Sequence, residues 1–198
     1  MYESARLGRL VNAGIGGKAA EYFYSVYQNI EKAGMNEEVA RLRSQFPDYE
    51  VWVTGHSLGA ALASVSAGEL VKLKGVPSAK LKLITFGEPR TGNAQYARNF
   101  EKLVPYAFRV VNRKDTVPHM PPQNFLGYTH HSAEVWYENG MTDGGFKICP
   151  TPEDKACSNR VVVGYNWQDH IRYYTKMILG YGIAGCGDFG DVIKRFWG

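Results

Sequence analysis

The sequence predicts an α/β fold: a mainly parallel sheet with helices on both faces. Three observations predict it. Short apolar runs alternate with segments of helical periodicity. A run of small residues follows the first of the stronger strands, and small side chains let a helix approach a sheet closely. Glycine or proline punctuates most junctions.

The elements follow in order. Over 21–46 the apolar residues Phe23, Val26, Tyr27, Ile30, Val39, Leu42 and Phe46 recur at helical spacing, with Gly34 placed to interrupt them. Pro47 ends the segment, because the residue before proline avoids the helical region. Residues 50–54 read as a short buried strand. Residues 58–74 read as a helix with Gly59, Ala60, Ala61, Ala63, Ser64 and Ala67 on one face, stopped by Gly75-Val76-Pro77. Strands are expected over 81–86, 107–112 and 131–137. Helices are expected over 91–103 and 168–179.

Composition narrows the classes. The 198 residues suit a single domain over 1–198, and 44% apolar with 21% charged residues argues against disorder. The net charge is +4 without a basic block, so nucleic acid is not an expected partner. No apolar run approaches the roughly 18 residues of a membrane helix, so no transmembrane segment is expected. The first residues, Met1-Tyr2-Glu3-Ser4-Ala5-Arg6, do not read as a signal peptide. Cys149 and Cys157 close a short loop rich in turn residues, which reads as a disulfide in an oxidising compartment, against the alternative of two reduced surface thiols. Cys186 is left without a partner.

Gly55-His56-Ser57-Leu58-Gly59 stands between the strand at 50–54 and the small-faced helix. Gly-x-Ser-x-Gly in that context is a nucleophile elbow. The serine occupies a sharp, strained turn, and glycine on either side is expected to remove colliding Cβ atoms. The turn sets the helix N-terminus beneath a reacting carbonyl, with the backbone N–H of Leu58 as one oxyanion donor.

A serine hydroxyl needs a base, and the base an orienting acid, in the chain order Ser, Asp, His. His170 comes last and opens a predicted helix. His119 lies between prolines in a rigid loop, and His130 and His131 open a strand, so all three read as structural. Asp115 lies just past the C-terminal end of the strand at 107–112, where sites of open α/β sheets gather. Asp169 is the rival acid but adjoins His170. Asp143 and Asp154 sit in loops. Ser57, Asp115 and His170 are therefore the expected catalytic residues, with neither metal nor cofactor required.

These segments resemble the fungal-type (class 3) triacylglycerol lipase family of the α/β-hydrolase superfamily. The resemblance runs from about Glu21 to Cys186. It rests on the elbow and its helix, on Thr85-Phe86-Gly87-Glu88-Pro89-Arg90-Thr91-Gly92-Asn93, and on Asp115-Thr116-Val117-Pro118-His119-Met120-Pro121-Pro122. It rests also on 131–137, on the Cys149 to Cys157 loop followed by Ser158-Asn159, and on Asp169-His170-x-x-Tyr173-Tyr174. It implies hydrolysis of acylglycerol esters at a lipid–water interface, secretion or a lumenal location, a Cys149–Cys157 disulfide, and a monomer. It assigns the triad to Ser57, Asp115 and His170.

Such lipases carry a longer N-terminal part with further strands, an oxyanion loop and a lid. No motif of these kinds stands before Tyr22, so the chain reads as the C-terminal catalytic portion, truncated at the N-terminus. An open apolar sheet edge near Val51 is then expected. The alternative on the same observations is a non-catalytic lipid-binding relic. Phe125, Tyr128, Trp136 and Trp167 are aromatics that either line a pocket or fill the core.

Overall fold

The computed structural model describes residues 8–141 and 144–186. A short hairpin of β1 (Leu10–Asn12) and β2 (Lys18–Ala20) leads into α1 (Glu21–Lys32) and α2 (Met35–Gln45). The long helix expected over 21–46 is thus two. Gly34 separates them with φ 100, a left-handed value that glycine adopts without a Cβ penalty.

The strand before the elbow is β3 (Val51–His56), and α3 (Leu58–Lys72) follows it. Then come β4 (Leu81–Phe86), β5 (Gly92–Asn93), α4 (Ala94–Leu103) and β6 (Ala107–Asn112). The expected helix over 91–103 begins at Ala94 because Asn93 caps it, its side chain accepting from the Tyr96 amide. After β7 (Tyr128–Thr129) come β8 (Ala133–Tyr137) and β9 (Lys147–Cys149).

The principal sheet has the order β3-β4-β6-β8-β9, parallel except for β9. A second sheet, β1-β2-β5-β7, is antiparallel. Among the described residues β3 pairs only with β4, so the strand before the elbow is an edge, and Trp52 on it is 57% exposed. On β4 burial alternates, placing Leu81, Leu83 and Thr85 inward. Burying each leucine contributes about 1.5–3 kcal/mol relative to exposure. The face of α3 packs on β3 and β4 through buried Ala63 and Ala67. At Gly68 a Cβ would come within 3.3 Å of both Ile15 and Phe100. Small residues therefore bring helix, hairpin and α4 together.

The expected helix over 168–179 is not one helix. A single turn, α5 (Trp167–His170), precedes a hairpin of β10 (Arg172–Tyr173) and β11 (Lys176–Met177). A last helix, α6 (Ile178–Ile183), follows. Tyr174 and Thr175 form the hairpin turn with φ 48 and 66, the two positive values a type I′ turn requires. The hairpin wins because it buries Tyr173, which a continuous helix would not hold in the same contacts.

Candidate active site

Ser57 stands between β3 and α3 with φ 58 and ψ −126. This is a strained conformation for a residue with a Cβ, costing about 1–3 kcal/mol. The surrounding bonds hold it: its amide donates to the Phe86 carbonyl at the end of β4, at 3.0 Å. The two elbow glycines differ. A Cβ on Gly55 would lie 2.2 Å from the Gly59 carbonyl oxygen, so glycine is obligatory there. A Cβ on Gly59 meets nothing within 4 Å, so only the first glycine is needed to avoid a collision. Leu58 opens α3, and the positive end of that helix favours an anion.

Asp115 is fully buried just beyond β6. Its amide donates to the Asn112 carbonyl, and its Oδ1 accepts from the Val117 amide at 2.9 Å, an Asx turn that aims the carboxylate. His170 ends α5 and is 2% exposed. Its Nδ1 lies 3.0 Å from both Asp115 oxygens, and its Nε2 lies 2.8 Å from Ser57 Oγ. A carboxylate only accepts, so Nδ1 carries the proton; in the neutral ring Nε2 is then the acceptor of the serine hydroxyl. The three residues expected from chain order thus form one continuous chain of hydrogen bonds.

The other candidates lie elsewhere. Asp169 turns its Oδ2 to the Lys114 amide, at 3.2 Å, away from the imidazole beside it in sequence. Asp154 caps its own loop through the Ala156 amide. Asp143 lies outside the described residues. His130 donates from Nε2 to the Pro118 carbonyl, and His131 meets Glu88 at 2.9 Å. Both are buried, as is proper to structural histidines. Glu88 also accepts from Thr85 and Thr91. Burial opposes its charge, but His131 and Thr85 hold its carboxyl below the usual range. Tyr128 and Trp136 are core, whereas Phe125 and Trp167 are half exposed.

Four residues near the site were not singled out as contributors by sequence reasoning. Tyr173 donates its hydroxyl to Asp115 Oδ2 at 2.7 Å. Burial first, then the Asp115 charge, pushes that phenol well above its usual 10. Gly87, with φ 58, passes so close that a Cβ would sit 2.8 Å from Asp115 Oδ2 and 3.0 Å from His170 Nδ1. The rings of His56 and Trp167 lie 4.6 and 4.8 Å from that of His170. The run Asp169-His170-x-x-Tyr173 carried a signal for the tyrosine, and Trp167 stands three residues before His170 on α5; nothing local marked the contacts of His56 and Gly87.

Cys149, at the end of β9, is joined to Cys157 by a disulfide, and both are buried. The two-thiol alternative is therefore set aside. Cys186 is free and exposed. Among the described residues no cluster of three or more His, Cys, Asp or Glu side chains could hold a metal ion. No helix among them is long and apolar enough to cross a membrane.

Fold and site together define an α/β-hydrolase. The model of the class 3 lipase family matches residues 3–125, so the similarity begins well before Glu21 and takes in the β1–β2 hairpin. The chain belongs to that family. It is 38% identical over 174 residues to lipase ZK262.3 of Caenorhabditis elegans, covering 72% of this chain and 49% of that one. Lipase II from Rhizopus niveus superposes with a TM-score of 0.81 at 30% identity, over 89% of this chain and 66% of that one. A triacylglycerol lipase whose catalytic centre is formed by a serine protease triad superposes with a TM-score of 0.78, also at 30% identity, over 88% and 66%. The chain spans about half the length of the curated relatives it matches.

Proposed function

We propose that this chain carries a carboxylic ester hydrolase acting on lipid esters, with Ser57, His170 and Asp115 as its triad. The observation that carries the reading is the unbroken path Ser57 Oγ–His170 Nε2, His170 Nδ1–Asp115, at 2.8 and 3.0 Å. In the reaction, Ser57 Oγ attacks the ester carbonyl as its proton passes to His170 Nε2. Asp115 holds the Nδ1–H tautomer and stabilises the imidazolium. The oxyanion receives the Leu58 amide at the head of α3. The tetrahedral adduct collapses, His170 gives the proton to the leaving alcohol, and water releases the acyl group by the same steps.

Acylglycerols are the substrate class that membership of a lipase family favours. The Cys149–Cys157 disulfide favours a secreted or lumenal setting. We further take the chain as one domain and a monomer. The hydrogen bonds a triad requires are formed, which favours the hydrolase over the non-catalytic relic.

The test is hydrolysis of a soluble short-chain ester and of emulsified triacylglycerol. Ser57→Ala should lower kcat about a million-fold. Retained hydrolysis in that variant would remove Ser57 from the reaction.

A further inference from the structure

His56 lies inside the elbow, one residue before Ser57, and the triad itself does not use it. Two independent contacts tie it to His170. Its imidazole stacks on that of His170, with centroids 4.6 Å apart and planes 27° from parallel. Its Nε2 lies 2.8 Å from the backbone carbonyl oxygen of His170. A carbonyl oxygen only accepts, so the His56 Nε2 carries a proton and donates it. One contact holds the ring plane of His170 and the other holds its main chain.

We infer that His56 is a positioning residue for this reaction: it clamps His170 so that Nε2 points at Ser57 Oγ while Nδ1 faces Asp115. The inference rests on the triad proposed above. Two features of the fold explain the need for a clamp. His170 ends a helix of a single turn, α5, and a two-strand hairpin follows at once, so local secondary structure fixes it weakly. His56, in contrast, ends β3 in the principal sheet and is paired in register with Phe86 of β4. The clamp therefore ties the base to the same strand that sets the height of the nucleophile. A displacement of about 1 Å between such groups costs roughly 100-fold in rate.

The charge state of His56 is consistent with this role. Burial chiefly holds its pKa below 6.5, and His170 itself adds to the lowering. The backbone bond to His170 and the charge of Asp115 pull the other way, and Tyr173, the remaining ring packed on it at 5.5 Å, is neutral. At neutral pH His56 is then an uncharged ring against which His170 becomes a cation. A protonated neighbour at 4.6 Å would oppose that step.

The test uses the full chain and a soluble short-chain ester, so that binding to a lipid surface does not enter. His56→Ala removes both contacts and should lower kcat roughly 100-fold with KM changed less than about two-fold. His56→Gln restores a donor toward the His170 carbonyl and should recover about ten-fold of that loss. The rate at which a fluorophosphonate labels Ser57 should fall in parallel with kcat. Labelling of the unaltered chain establishes the triad independently. With that in hand, His56→Ala labelling and turning over within three-fold of the parent overturns the clamp. So does a loss carried by KM, or a lower melting temperature with unchanged kcat. Absence of labelling in the unaltered chain would instead sink the triad itself.

Discussion

The hydroxyl of Tyr173 donates a 2.7 Å hydrogen bond to Oδ2 of Asp115, the same oxygen that lies 3.0 Å from His170 Nδ1. The carboxylate is fully buried and accepts from three sides: Tyr173, His170 and the Val117 amide. A buried charge needs such partners, because each replaces hydration lost on folding.

Tyr173→Phe removes one of the three. Stability should fall by about 1.5–3 kcal/mol, the range for hydrogen bonds to charged groups. kcat should fall roughly ten-fold, about 1.4 kcal/mol in the barrier. Burial and Asp115 hold the phenol protonated well beyond pH 10, so it remains a donor throughout the working range. The alkaline limb of the pH–rate profile should therefore keep its shape in the variant. A limb that disappears with the hydroxyl would contradict this.

Gly87→Ala tests how closely the acid and base are hemmed in. Its Cβ would lie 2.8 Å from Asp115 Oδ2 and 3.0 Å from both Nδ1 and Cε1 of His170, at a φ that disfavours alanine. kcat should fall roughly 100-fold as the pair is pushed apart. Gly59→Ala is the control, since its Cβ meets nothing within 4 Å. Steady-state kinetics on both variants should separate them; equal losses would show that the contact at Gly87 does not matter.

Acid stability should depend on Glu153. Burial alone would raise its pKa, but Arg90, the His130 amide and Asn159 together lower it to about 2. A carboxyl depressed in the folded state contributes stability that is present above its unfolded value, about 4.3. That contribution fades as pH falls from there toward 2. Urea unfolding at pH 7 should show Glu153→Gln less stable by about 3 kcal/mol, since Arg90 is left buried and unpaired. The difference should shrink by pH 2.5. A constant difference at all pH would refute the linkage.

The Cys149–Cys157 disulfide closes a loop with a sequence separation of 8. A loop of that size contributes about 2–3 kcal/mol by restricting the unfolded chain. Cys149→Ser/Cys157→Ser should lower the melting temperature accordingly while leaving the kcat of the remaining folded protein unaltered. Neither cysteine touches the triad.

Much of the site was legible because its parts lie at the ends of strongly patterned elements. Val51 to Thr54 followed by Gly-x-Ser-x-Gly and an alanine-rich face could be read as strand, elbow and helix. Asp115 could be read from its place just after β6. The tail resisted reading. Ile171 to Leu179 has a spacing compatible with a helix, but Tyr173 gains more by reaching Asp115, and Tyr174 and Thr175 accept positive φ to allow it. That is a tertiary contact overriding a local preference. The β1-β2-β5-β7 sheet was invisible for a different reason. Its strands are two or three residues long, too short to show any period. The contacts of His56 and Gly87 with His170 join residues far apart in sequence, and only the fold brings them together.

The central claim is that Ser57 is a nucleophile made reactive by His170. Mass spectrometry of the chain after brief exposure to a fluorophosphonate tests it most directly. The predicted result is a single adduct on the peptide containing Ser57, lost in His170→Ala even though the serine remains. No adduct on Ser57, or one formed equally fast without His170, would contradict it.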